Sequence, residues 1–67
     1  MKNRVKPMRE SHGLTQKELG EAVNVSRQAI NAIETGKYDP SIWLAYHLAR
    51  FFESRVEDVF QFEEGKP

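Results

Sequence analysis

Residues 15–36, TQKELGEAVNVSRQAINAIETG, decide how this chain is read. Thr15 stands where a helix N-cap would, and Glu18 three residues on completes a capping box. Leu19, Ala22 and Val23 then fall at i, i+3 and i+4 and predict one apolar face. Asn24 interrupts the pattern, Val25 is apolar, and Ser26 caps a second helix whose inner side carries Ile30 and Ile33. Gly36 suits a helix stop, because it tolerates left-handed backbone. The stretch therefore predicts two short helices joined by a tight turn. The outward face of the second helix bears Arg27, Gln28, Asn31 and Ala32, between Ser26 at its start and Thr35 at its end. These side chains suit base edges in a major groove. Arg pairs with guanine, Gln or Asn with adenine, and a methyl group meets thymine.

The pattern extends beyond this stretch. Thr15-Gln16 with Glu18-Leu19, Val25-Ser26-Arg27-Gln28, Ile30, Ile33-Glu34 and Gly36-Lys37 resemble the lambda-repressor/Cro-like (XRE) helix-turn-helix regulators. The resemblance runs on through Pro40-Ser41 and Glu57-Asp58-Val59-Phe60, so it covers nearly the whole chain. It is strongest toward very small stand-alone dimeric repressors, in which the helical domain is essentially the entire protein. It implies a five-helix, all-α DNA-binding domain, with a small two-stranded antiparallel sheet joining the termini allowed. It also implies that Gln16 touches a phosphate while bracing the reading helix. Glu34, an acid that looks misplaced beside DNA, is implied to pair with a base elsewhere in the domain, for which Arg9 is the candidate.

Sixty-seven residues make one domain with one modest core. There is no Cys, hence no disulfide framework and no Cys-based metal site. No apolar run is long enough to span a bilayer and no signal-peptide pattern opens the chain, so a cytoplasmic protein is expected. The formal net charge is zero, which argues mildly against nucleic acid. Its distribution argues the other way. Residues 1–38 hold seven Lys and Arg against four Asp and Glu, while residues 39–67 hold three against six. The basic half contains the proposed reading helix.

The first helix is expected from about Asn3 or Arg4 to His12, with Val5, Met8 and Ser11 inward. Pro7 is tolerable in its first turn, where the backbone N–H lacks an intrahelical acceptor. Gly13 ends it. Lys2, Arg4, Lys6 and Arg9 are candidate phosphate contacts. Residues 35–40, TGKYDP, read as a loop. Its backbone N–H groups, Lys37 and Tyr38 suit phosphate. Pro40-Ser41 opens the fourth helix, whose core stripe is Ile42, Ala45, Leu48, Ala49 and Phe52. Trp43, Leu44 and Phe51 widen the apolar surface beyond one stripe. Ser54, with Glu57, is expected to cap a fifth helix that begins at Arg55 and turns Val56, Val59 and Phe60 inward. Residues 60–63 alternate like a half-exposed strand, and residues 64–67 read as a frayed tail.

Neither phosphate-loop nor dinucleotide fingerprints occur. His12 and His47 lack metal-ligand spacing, and no pair of acids sits in an apolar setting that would tune it for acid–base work. Neither enzyme activity nor a metal, cofactor or small-molecule ligand is expected. The expected function is sequence-specific binding of double-stranded DNA at a palindromic operator, as a repressor. Affinity would come from Gln16, Lys37 and the 35–38 loop, and specificity from Arg27, Gln28, Asn31 and Ala32. The apolar excess in the C-terminal half predicts a homodimer, with an interface from Phe51, Arg55, Val56, Val59, Phe60 and Phe62. The alternative is a protein-interaction module on the same fold, such as an antitoxin.

Overall fold

A computed structural model describes residues 1–62. Five helices follow one another: α1 (Val5–Ser11), α2 (Gln16–Val23), α3 (Arg27–Glu34), α4 (Ile42–Phe51) and α5 (Val56–Val59). Their inner faces enclose one core of Val5, Leu19, Ile30, Ile33, Leu44, Ala45, Leu48, Ala49, Phe52, Val59 and Phe60. Met8, Val23, Val25, Phe51 and Val56 pack around its rim.

The helix starts follow local chemistry. Thr15 and Glu18 form the expected capping box: the Glu18 N–H donates to the Thr15 hydroxyl at 3.1 Å, and the Thr15 N–H donates to the Glu18 carboxylate at 2.8 Å. The Thr15 N–H, with the Thr15 hydroxyl alongside, holds the Glu18 carboxyl below its usual range. Ser26 accepts from the Ala29 N–H, and Ser41 from the Leu44 N–H, each at 3.1 Å. Pro7 falls in the first turn of α1, as expected. The start of α1 is held by Asn3, whose carboxamide oxygen accepts from the Val5 N–H at 3.1 Å while its amide donates to the Ile33 carbonyl at 2.9 Å.

The ends of α1 to α4 share one device. Gly13, Asn24, Gly36 and Glu53 have φ of 69°, 64°, 77° and 54°. At each, the residue after it donates five residues back: Leu14 to Arg9, Val25 to Gly20, Lys37 to Ala32, and Ser54 to Ala49. The left-handed residue itself donates three back, to Glu10, Glu21, Ile33 and Arg50 respectively. This is the Schellman geometry, which satisfies carbonyls that a helix end leaves bare. Glycine marked two of these stops in the sequence, whereas Asn24 and Glu53 serve the other two.

Several expectations are corrected. Ser11 and Ala22 are exposed; the second inward position of α2 is Gly20. A Cβ on Gly20 would lie 2.6 Å from the Val25 carbonyl oxygen, so α2 and the turn approach too closely for any side chain. Ile42 is 73% exposed and Leu44 takes its place in the core. An inward arc on α4 centred on Leu44, Ala45, Leu48 and Ala49 leaves the first helical position outside it. Ser54 does not cap α5: its hydroxyl donates to the Phe52 carbonyl at 3.2 Å. The N-cap position is Arg55, whose N–H and Nε donate to the Asp58 carboxylate at 3.4 and 3.2 Å, so Asp58 takes the place expected of Glu57. Among the described residues the terminal sheet is reduced to one antiparallel bridge, Asn3 with Phe60. It is flanked by Arg4 N–H to the Val59 carbonyl at 2.7 Å and Gln61 N–H to the Lys2 carbonyl at 2.9 Å. The expected strand position 63 and tail 64–67 lie outside the described residues.

Candidate nucleic-acid interface

α3 presents the candidate reading surface. At about 100° per residue, positions 27, 28, 31 and 35 share an arc of about 100°. Arg27, Gln28, Asn31 and Thr35 are all exposed, whereas Ala32 is half-buried at the border of that arc. Ile30 and Ile33 are fully buried on the other side. The core therefore holds α3 by one face and leaves the opposite face free. Its angle to α2 is set by the bare Gly20 backbone and by the Val25 N–H, which donates to the Gly20 carbonyl at 2.8 Å.

Glu34 is removed from that surface. Its carboxylate accepts from Arg9 Nε at 2.7 Å and Nη2 at 3.2 Å, and from the Gln16 amide at 3.0 Å. Its side chain is 2% exposed and that of Arg9 11%. The third guanidinium nitrogen, Nη1, donates to the Leu14 carbonyl at 2.7 Å. This fork-on-fork pairing raises the Arg9 guanidinium above its already high range, chiefly through the hydrogen bond to Glu34. The expected Arg9–Glu34 pair is thus present, and it ties α1, the start of α2 and the end of α3 together. Gln16 braces α3 as expected, through Glu34. Glu34 is the one acid of α3, so the exposed face of that helix carries no negative charge.

The flanks differ from expectation in one respect. The N–H groups of Thr35, Gly36, Lys37 and Tyr38 all donate to carbonyls of Asn31, Ile33 and Ala32. They are spent on closing the helix, so residues 35–38 can offer phosphate only side chains. Lys37 and Tyr38 are exposed and available. The Thr35 hydroxyl donates to the Asn31 carbonyl at 3.0 Å, leaving only acceptor capacity. Ser26 is the reverse: its oxygen accepts at the cap, and its hydroxyl proton remains free to donate. Lys17, which the sequence reading passed over, is exposed in the first turn of α2. With Glu21, Val25, Ser26 and Arg27 it lines a shallow hollow of about 340 Å³. Its signal was a cation two residues past a cap, where bare N–H groups already favour anions.

The surface assigned to dimerisation divides. Val59 and Phe60 are each 1% exposed; their side chains fill this chain's own core and are closed to a partner. Phe51 and Val56 are half-buried, Arg55 is exposed, and Phe62 is 54% exposed.

A helix-turn-helix family model covers residues 5–59, from the first residue of α1 to the last of α5. The chain belongs to the helix-turn-helix family. It is 52% identical over 66 residues to an "uncharacterized HTH-type transcriptional regulator" of Methanocaldococcus jannaschii, covering 98% of this chain and 100% of that protein. It is 48% identical over 64 residues to the HTH-type transcriptional regulator YgzD of Bacillus subtilis, covering 96% and 97%. A similar regulator of Archaeoglobus fulgidus is 45% identical over 64 residues, covering 96% and 91%. In this helix-turn-helix chain, α2 and α3 are the named pair, and α1, α4 and α5 supply the core against which they sit. No helix of the described residues is long and apolar enough to cross a membrane.

Proposed function

We propose that this chain, a DNA-binding transcriptional regulator of the helix-turn-helix family, reads a palindromic operator as a two-fold dimer and represses by occupying it. The observation that carries the reading is the outward face of α3. Arg27, Gln28 and Asn31 stand exposed there, while the one acid of that helix is locked to Arg9 and Gln16. Arg27 and Gln28 supply the longest base-reading side chains and Asn31 a shorter one. Lys37, Tyr38, Ser26 and Lys17 surround them with phosphate-binding groups. Gln16 contributes by holding α3 in place.

One α3 contacts too few base pairs to select a site among the millions in a genome, so two copies are needed. Val56 and Phe62, with Arg55 beside them, form the apolar surface for that pairing. It lies in the acidic half of the chain, leaving the basic half to DNA.

Selection of bound sequences from a random duplex pool tests the reading. The expected product is an inverted repeat with half-sites about 34 Å apart, one turn of DNA. Val56→Asp should sediment as a monomer at micromolar concentration and lose the preference for the repeat over a single half-site. A wild-type monomer that selects one isolated half-site would overturn the dimer.

A further inference from the structure

The two most exposed large apolar side chains, Ile42 and Trp43, lie on α4. Ile42 is 73% exposed, Trp43 70% and Tyr46 41%, and exposed His47 and Arg50 continue the same stripe of α4. Contiguous aromatic surface of this kind usually marks an interaction site. The stripe is already ordered. Trp43 and Tyr46 meet edge-on with centroids 6.3 Å apart, and Tyr46 and His47 at 5.6 Å. Arg50 donates to the Tyr46 hydroxyl at 3.0 Å, and its guanidinium carbon lies 5.7 Å from the Tyr46 ring centre. Docking this face would therefore immobilise few free rotamers.

The chemistry of the side chains along the stripe suits a second copy as its occupant. Positions 42, 43, 46, 47, 50 and 51 read the same in both directions about a point between 46 and 47. In an antiparallel helix pair, facing positions have numbers that add to a constant. A two-fold axis at that point sets Tyr46 against His47 of a second copy, Trp43 against Arg50, and Ile42 against Phe51. Each facing pair is chemically matched: ring on ring, guanidinium over indole, and apolar on apolar. A DNA backbone would meet only one fixed cation, Arg50, in this run of aromatics. An acidic peptide would leave the Ile42–Trp43 end without a partner.

We propose that α4 docks antiparallel on α4 of a second copy, through a two-fold contact distinct from the Val56–Phe62 surface. A helix of ten residues is about 15 Å long. The pairing thus falls below the roughly 1,000 Å² expected of a stable interface. It acts between copies already brought close, such as dimers on neighbouring stretches of one duplex, where effective concentration reaches the millimolar range. The contact would link one DNA-bound dimer to the next.

The chain has no Cys, so single engineered thiols report the geometry cleanly. Oxidative cross-linking at millimolar protein is measured for His47→Cys, Trp43→Cys, Arg50→Cys and, as control on the exposed end of α1, Ser11→Cys. Circular dichroism confirms the helical fold of each. His47→Cys lies beside the axis and should link to itself at least about tenfold faster than Ser11→Cys, reflecting the raised local concentration of a docked pair. Trp43→Cys and Arg50→Cys, each about 10 Å from its own symmetry mate along the axis, should not self-link above the control. Mixed together they should cross-link to one another. Equal rates at His47→Cys and Ser11→Cys would overturn the proposal, as would self-linking of Trp43→Cys at the His47→Cys rate. Protection of the stripe from alkylation by added duplex, without cross-links, would assign it to DNA and overturn the proposal equally.

Discussion

α3 and α4 are built by the same local rules and end with opposite outer faces. Each starts at a serine that accepts an N–H at 3.1 Å, and each ends at a left-handed residue, Gly36 or Glu53. Each gives its inner face to the same core. Outside, α3 carries Arg27, Gln28 and Asn31, whereas α4 carries Ile42, Trp43 and Tyr46. Caps and core burial make a helix and orient it; the side chains left over set the chemistry that its outer face can offer. The two helices also differ in how firmly the rest of the chain aims them. α3 is fixed at its last turn by Arg9 and Gln16 through Glu34, while the described ion pairs include none to α4.

That asymmetry gives the largest expected effect. Glu34→Ala leaves the Arg9 guanidinium without its partner at a nearly closed site, and should cost about 3–5 kcal/mol in folding stability. Urea unfolding measures it; a loss below about 1 kcal/mol would mean that the pair is a replaceable surface contact.

Next comes the angle of α3 itself. Gly20→Ala gains about 1 kcal/mol of helix propensity. Against that, its methyl must push the Val25 carbonyl from 2.6 Å, an overpacking cost of about 1–3 kcal/mol because the neighbour is backbone. A net loss in stability and a larger loss in DNA affinity are expected, since the turn moves the reading face. Unchanged DNA binding would show that the α2–α3 angle is set elsewhere.

The serine caps offer a smaller and internally controlled contrast. Ser41→Ala should cost about 1 kcal/mol. Ser54→Ala should cost only a few tenths of a kcal/mol, because that hydroxyl bonds a carbonyl and caps nothing. Equal losses in thermal unfolding would return the α5 cap to Ser54. Opposite in sign is Glu53→Gly, at φ 54°. Relief of left-handed strain should outweigh the added flexibility of the unfolded chain and stabilise by about 0.5–1 kcal/mol.

The same comparison explains what was legible in sequence. Thr15–Glu18, Ser26, Ser41, Gly13 and Gly36 act through neighbours three to five residues away, so their roles could be read directly. The outward face of α3 was readable because Ile30 and Ile33 leave only one way to turn the helix. α4 was misread at Ile42 because its apolar residues run almost all round, and periodicity cannot then choose which go inside. Ser54 and Arg55 are both plausible starts for a one-turn helix, and only the position of Asp58 decides between them. The Gly20 contact and the triple role of Asn3 depend on segments brought together by folding, and no local pattern announces them. Val59 and Phe60 were counted as dimer surface because the core of so small a chain is easily underestimated; it takes both completely.

The central claim is that the exposed face of α3 reads bases while the loop after it anchors phosphate. Affinities of the wild type, Gln28→Ala and Lys37→Ala are measured across a salt series, on the selected duplex and on random duplex. Gln28→Ala should lose about 1–3 kcal/mol on the selected site alone, with relaxed preference at one base pair and an unchanged salt slope. Lys37→Ala should weaken both duplexes alike and lower the slope by about one. If Gln28→Ala instead weakens selected and random DNA equally, α3 is not the reading helix and the account fails.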